Sequence, residues 1–225
     1  MTLGLLTAME MERERIAALM DSPQVENLGG YSWTHGRIGL HDAVLASGGI
    51  GKVNAALVLA ALVEFFKPDC AISTGCAGGL AEGMAVGDVV AGAEYAYHDV
   101  DCGFGNVRGQ VAGLPPRFKA GERLLLAARG IAGVRTGLMV SGDQFISAPE
   151  RIADIKAAFP EALACEMESA ALAHACHLKG LPFISFRVIS DCPGAKSGNI
   201  AQYENFWASM AEKSFETTRA FLSSL

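Results

Sequence analysis

Four carboxylates and one arginine carry the chemistry that can be read from this chain. Glu12 lies one turn beyond a short apolar run, Leu3 to Ala8, that reads as a buried first strand. Glu166 and Glu168 flank Met167 at the end of a second strand-like run. Asp191 closes a third, Pro182 to Ser190, which also contains Arg187. In open α/β sheets ligands gather at the carboxyl ends of the strands, so three strands bring acids to one edge. Any one of these acids alone suits a helix cap or a solvated turn. An arginine inside an apolar strand needs a buried partner. Together the group suits general acid–base cleavage of a glycosidic bond.

Two glycine-rich stretches look like known motifs and fail. Gly49-Ile50-Gly51-Lys52 lacks the first P-loop glycine, because Ala46 stands there, and Val53 follows the lysine in place of Ser or Thr. A dinucleotide fingerprint from Gly49 would need glycine at Asn54. What remains is a glycine turn ahead of a helix, suited to a polar ligand group or simply to a tight strand–helix connection. Gly75-Cys76-Ala77-Gly78-Gly79 follows another strand, but Thr74 occupies the first glycine place of a nucleophile elbow. Cys76 therefore reads as a small residue lining a cleft, and the glycines around it as room for a ligand near the backbone. His174 and His177 beside Cys176 could form a metal edge. Nothing supplies a third and fourth ligand, so no metal is expected.

The elements that must position these residues alternate. Helices are expected over Glu10 to Met20, Val53 to Phe66, Glu122 to Arg129, Pro149 to Ala158, Glu168 to Lys179 and Ile200 to Phe221. Strands are expected over Tyr31 to Arg37, Asp42 to Ser47, Cys70 to Gly75, Val86 to Tyr97, Val134 to Ser141 and Ala162 to Met167. Gly75 to Gly79 reads as a turn. Asp99 to Pro116, with four glycines and two prolines, reads as a long loop. Alternation of this kind argues an α/β layered fold with a largely parallel sheet. No repeat, linker or composition break appears, so residues 1–225 read as one domain.

Composition narrows the function. Of 225 residues, 51% are hydrophobic and 19% charged, enough apolar material for a sizeable core. The net charge of -6, without a basic block, argues against nucleic-acid binding. No apolar run approaches the roughly 18 residues of a membrane span, and Glu64 breaks the longest. Glu10, Glu12 and Glu14 follow the first apolar run at once, which argues against a signal peptide. The six cysteines are scattered without a CxxC pair, so they read as free thiols in a reducing, cytoplasmic setting.

Eight stretches, in order along nearly the whole chain, then carry a resemblance. They are Ala8 to Glu12, Gly49 to Asn54, Ser73 to Gly79, Val86 to Val90, Tyr97 to Asp101, Val140 to Ile146, Glu166 to Glu168, and Arg187 to Asp191. With them the chain resembles the 5′-methylthioadenosine/S-adenosylhomocysteine nucleosidases of the nucleoside phosphorylase superfamily. The resemblance implies a three-layer α/β/α sandwich around a mixed, largely parallel sheet, and a homodimer with a shared 5′ pocket. It implies hydrolysis of the N-glycosidic bond of a 5′-thio-substituted adenosine in methionine salvage, with no cofactor.

Residue by residue, it implies Glu12 as the base that activates water and Asp191 as the acid that protonates adenine at N7. Glu168 would bind ribose hydroxyls, with Met167 against the sugar. Phe145 would stack on adenine, and the Ile146 backbone would read its edge. Arg187 and Ser190 would support the water and Asp191. Phe104, Ala112 and Tyr203 would border the 5′ substituent. Met9, Cys76, Ala77, Gly78 and Glu166 would complete the substrate site. Cys76 stands where the family usually has serine, Gly48 where serine is common, and Ala112 where proline is frequent, so the 5′ preference is the open point.

Three rivals remain at this stage. A phosphorylase would need cations for phosphate, where the N-terminal loop offers Glu10 and Glu12. A nucleosidase for another adenine nucleoside, such as 6-amino-6-deoxyfutalosine or 5′-deoxyadenosine, would share the adenine contacts. A catalytically dead nucleoside-binding protein would have no need of Glu12, Glu168 and Asp191 together.

Overall fold

The computed structural model describes residues 1–194 and 198–225. Its strands are β1 (Thr2–Thr7), β2 (Asp21–Leu28), β3 (Tyr31–Ile38), β4 (His41–Ser47), β5 (Cys70–Gly79), β6 (Val89–Tyr97), β7 (Phe118–Lys119), β8 (Val134–Ser141), β9 (Ala162–Glu166) and β10 (Phe183–Asp191). Its helices are α1 (Glu10–Ala17), α2 (Lys52–Phe66), α3 (Glu122–Arg129), α4 (Pro149–Ala158), α5 (Ser169–Lys179), α6 (Asn199–Asn205) and α7 (Ala211–Ser223). A π-helical turn, Phe206–Met210, joins the last two.

All these strands enter one mixed sheet. β2, β3, β4, β1 and β5 follow in order, and β5 then pairs with both β10 and β9. β9, β8, β6 and β10 continue from there, so five strands close on themselves, β1, β4, β3 and β2 extend as an arm, and β7 pairs with β6. β1 is parallel to β4 and β5, and β5 is parallel to β10. The antiparallel β5–β9 pairing is confined to Gly78↔Cys165 and Gly79↔Ala164. Two strands running in opposite senses thus meet only at their carboxyl ends, which sets Glu166 to Glu168 beside the end of β10.

The central strands are buried on both faces and alternate between two helical layers. Leu3 and Leu5 of β1, with Ala43 and Leu45 of β4, pack in the cluster that holds Ile16, Leu124, Phe215 and Phe221 from α1, α3 and α7. Leu6, Val44 and Ala46 pack in the cluster of Val58, Leu62, Leu172 and Ala173 from α2 and α5. Helices on both faces of the sheet make the three layers. β10 is fixed from outside by Phe186, whose ring lies parallel to that of Phe221 at 4.6 Å.

Local differences from the sequence reading have physical causes. Gly75 to Gly79 is the end of β5 rather than a turn, because its glycines let the strand pass close to β9, β10 and the side chains between them. β2 carries no strand signal in the sequence, since all eight of its residues are exposed and show no apolar alternation. α1 stops at Ala17, three residues early, although Met20 is still buried. The final helix is divided by its π-helical turn. In the long loop, Val111 packs against the core, whereas Phe104 stands fully exposed with φ +47°.

Candidate active site

The carboxyl ends of β1, β5, β9 and β10 surround a cleft of about 660 Å³, counted to its open mouth. Glu12 reaches it from the first turn of α1 and is almost completely buried. Its Oε2 accepts the backbone N–H groups of Ala8 at 3.1 Å and Met9 at 3.0 Å, and its Oε1 accepts that of Cys76 at 3.1 Å. Glu12 therefore caps its own helix while facing the cleft. Burial pushes its carboxyl up, against Arg187 and these amides, which pull it down.

Arg187, on β10, is 1% exposed. Its guanidinium donates to Glu166 Oε2 at 2.8 Å and lies 3.5 Å from Glu168 Oε2. It also donates to the hydroxyls of Ser73, Ser169 and Ser185 at 2.9, 3.3 and 3.1 Å. Burial works against its charge, yet Glu166, Glu168 and Glu12 together hold it above the ordinary arginine value. Gly75 sits opposite Arg187 in the β5–β10 register. A Cβ there would come within 2.5 Å of the guanidinium and onto a Glu12 oxygen. That close approach is why the strand needs glycine at this point.

Glu166 and Glu168 divide the work. Glu166 accepts from Ser141, from the amides of Glu168 and Ser169, and from Arg187, so both its oxygens are fully engaged inside the protein. Its geometry is that of a positioning group. Glu168 has one protein donor to Oε1, the Gly51 amide at 2.9 Å, and faces the cleft. Burial and the neighbouring Glu166 charge push its carboxyl up to about 8.

Asp191 ends β10 and is also buried. Ser190 Oγ donates to its Oδ1 at 2.8 Å and Asn199 Nδ2 to its Oδ2 at 3.0 Å. Burial raises this carboxyl, and those two donors oppose the rise. Over the mouth, Phe145 is half exposed and meets Tyr203 edge to face at 5.7 Å. Tyr203 in turn donates to Met9 Sδ at 3.5 Å. Cys76 lines the cleft, but burial and then Glu12 push its thiol well up, so it is no nucleophile.

The cleft brings together Met9, Glu12, Cys76, Ala77, Gly78, Phe145, Ile146, Glu166, Met167, Glu168, Arg187, Ser190, Asp191 and Tyr203. Phe104 and Ala112 lie outside it. Arg108 of their loop pairs with Asp154 of α4 at 2.5 Å. Sequence reasoning missed Asn199 and the serines of the Arg187 and Glu166 shell, Ser141, Ser169 and Ser185. The serines are unremarkable in one dimension and become partners only when β8, α5 and β10 meet. His174 is used elsewhere, stacked on Phe118 at 4.9 Å and bonded to Tyr97 Oη at 3.0 Å.

This fold and this cleft have counterparts among known proteins. The model of the phosphorylase superfamily matches residues 2–223. A 5′-methylthioadenosine/S-adenosylhomocysteine nucleosidase of Actinobacillus succinogenes is 42% identical, with 100% of each chain covered. Among solved structures, the nucleosidase of that name from S. pneumoniae, with a transition-state inhibitor, superposes with TM-score 0.93 at 35% identity, covering 100% of this chain and 99% of that one. That of Neisseria meningitidis, in complex with methylthio-immucillin-A, gives TM-score 0.92 at 39% identity over the same shares. The chain belongs to the phosphorylase superfamily and, within it, to the 5′-methylthioadenosine/S-adenosylhomocysteine nucleosidase family.

The charge balance of the site has a consequence for stability. Glu12, Glu168 and Asp191 all have carboxyls raised by burial. Between their ordinary values near 4 and the raised ones, the folded chain binds more protons than the unfolded chain. Stability is then fully present below the unfolded value and falls as pH rises, by up to about 1.4 kcal/mol per pH unit for each proton difference. Burial lowers His98 and His174, which adds an opposing slope in the same window, so the contribution is read as a difference: urea unfolding of the free protein from pH 5 to 8 should show stability falling more steeply in wild type than in Glu168→Gln. Parallel profiles for the two proteins would contradict the assignment.

Proposed function

We propose that the chain hydrolyses the N-glycosidic bond of 5′-methylthioadenosine and S-adenosylhomocysteine, releasing adenine and the 5′-thio-substituted ribose. The observation that carries hydrolysis over phosphorolysis is the inventory of cations. Among the described residues lining the cleft, Arg187 is the one cation, and Glu166 and three serines already hold it. Four carboxylates share the same walls. A phosphate dianion would find no free positive partner and strong repulsion, whereas a neutral water meets neither obstacle.

The residues then fall into roles. Asp191, its carboxyl raised by burial, donates its proton to N7 of adenine as the bond to C1′ breaks. The ribose becomes cationic, and Glu12 and Glu168, whose ionised forms that charge favours, stabilise it. Glu12 takes a proton from the water that attacks C1′, and the oxygen of that water becomes the new hydroxyl. Glu168 holds the ribose hydroxyls, Met167 packs on the sugar, and Phe145 with the Ile146 backbone receives the base. Arg187 keeps Glu166 and Glu168 in place. The released thio-sugar suits methionine salvage, and six unpaired thiols suit a reducing cytoplasm. One continuous sheet supports reading residues 1–225 as a single domain.

Adenine release from methylthioadenosine tests the reading. Asp191→Asn and Glu12→Gln should each lower kcat by about two orders of magnitude or more, the range of a general acid or base. Near-normal turnover by either variant would remove its role.

We also propose a homodimer in which each long loop closes the partner's cleft. Ile50, Val53 and Leu57 expose apolar surface near the mouth, and Phe104 and Val107 do so on the loop, an area that a second copy would cover. Phe104→Ala should raise KM for methylthioadenosine far more than for adenosine, which lacks the apolar 5′ group. Burial of such a group is worth about 1–3 kcal/mol. Equal effects on both substrates, or full activity of a sedimenting monomer, would contradict the shared pocket.

A further inference from the structure

Asn199 belongs to none of the stretches that carry the resemblance, yet it touches two parts of the site at once. It is buried at the first position of α6. Its Nδ2 donates to Asp191 Oδ2 at 3.0 Å and to the carbonyl oxygen of Ile146 at 2.9 Å. A primary amide nitrogen carries two hydrogens, so both are in use. One acceptor is the acid at the end of β10. The other belongs to the 144–146 loop that presents Phe145.

The rest of α6 supports the same attachment. One turn on, Gln202 Oε1 accepts the Cys192 amide at 2.8 Å, and Tyr203 lines the cleft. Positions 199, 202 and 203 share one face of a helix. This short helix is therefore docked on the end of β10 by side chains that meet the acid, its neighbour and the cleft wall.

Resting on the reading of the site as one that releases adenine, we propose that Asn199 is a positioning residue. Its single amide nitrogen bridges Asp191 to the Ile146 carbonyl and so fixes the acid relative to the plane in which the base lies. Adenine presents N7 and its exocyclic amine along one edge. A carboxyl that must protonate N7 needs a fixed angle to that edge, because misplacement by about 1 Å can cost a hundredfold in rate. Ser190 on Oδ1 and Asn199 on Oδ2 each leave a lone pair free, one of which carries the proton to N7.

The groups that set the titration of Asp191 can be enumerated. Cys76 on β5, Cys165 on β9, Cys192 beside it and Tyr203 on α6 all feel its charge, and all are raised by burial, so they stay neutral near pH 7. Glu12, Glu166, Glu168 and Arg187 are the other charged groups of the cleft. Within its immediate shell, burial is opposed only by Ser190 and Asn199.

The test uses full-length wild type, Asn199→Ala and the near-isosteric Asn199→Asp. Carbon-13 NMR titration of the Asp191 carboxyl, assigned through Asp191→Asn, reads the bridge without substrate. Loss of the donor should raise the Asp191 midpoint in Asn199→Ala, and the added like charge should raise it further in Asn199→Asp. In both variants kcat/KM for methylthioadenosine should fall about tenfold or more, with its alkaline limb moved to higher pH. An unmoved Asp191 midpoint in a folded variant overturns the proposal. So does a gain in kcat/KM for Asn199→Ala, which would mean that the amide stands where the base must enter. Should wild type release no adenine, the functional reading fails, while the titration still decides whether Asn199 holds Asp191.

Discussion

One buried guanidinium held among three buried carboxylates is the interaction on which the rest of the structure depends. With Glu12, Glu166 and Glu168 all ionised, the cluster around Arg187 would carry two uncompensated negative charges away from water. Burial of that kind is sustained only where each group has close partners or gives up its charge. Glu166 takes the first course, with four donors including Arg187. Glu12 and Glu168 have fewer partners and are pushed toward the protonated form. The architecture around them follows from this need. Serines from β5, α5 and β10 saturate the guanidinium, glycine stands at position 75, and the two carboxyl-terminal ends of β5 and β9 meet over a single short pairing.

The same imbalance makes the site chemically useful. A cleft lined by four carboxyl groups and no free cation is hostile to phosphate, and a developing positive charge on the sugar favours the ionised forms of those carboxyls. It is also a place where Asp191 can keep a proton to give away. On the proposed reading, the two requirements of glycosidic cleavage, a proton for the leaving group and a negative field for the ribose, fall to different carboxylates because their partners differ. Asp191 has two neutral donors and no cation, whereas Glu12 has Arg187 nearby and three amides.

Much of this was legible in the sequence because it rests on short-range patterns. β1, β5 and β10 are apolar runs buried on both faces, and their ends announce themselves with Glu12, the glycines after Thr74, and Arg187 to Asp191. The parts that were not legible depend on contacts between distant segments. β2 is an exposed edge strand whose polar residues carry no alternation. The glycines from 75 to 79 suggest a turn until β9 and β10 are seen on either side. Asn199 gives no local sign of its role, since its partners, Asp191 and the Ile146 carbonyl, come from two other segments. The placement of Phe104 gives no local sign either, since its loop is tied to α4 through Arg108 and the distant Asp154.

The most direct test is the fate of the solvent oxygen. Wild-type protein should be given 5′-methylthioadenosine in water enriched in oxygen-18, with and without phosphate, and the sugar product analysed by mass spectrometry. The charge balance of the cleft predicts equal adenine release in both cases and one oxygen-18 at the anomeric carbon of free methylthioribose. Dependence on phosphate, with the sugar 1-phosphate as product, would contradict it.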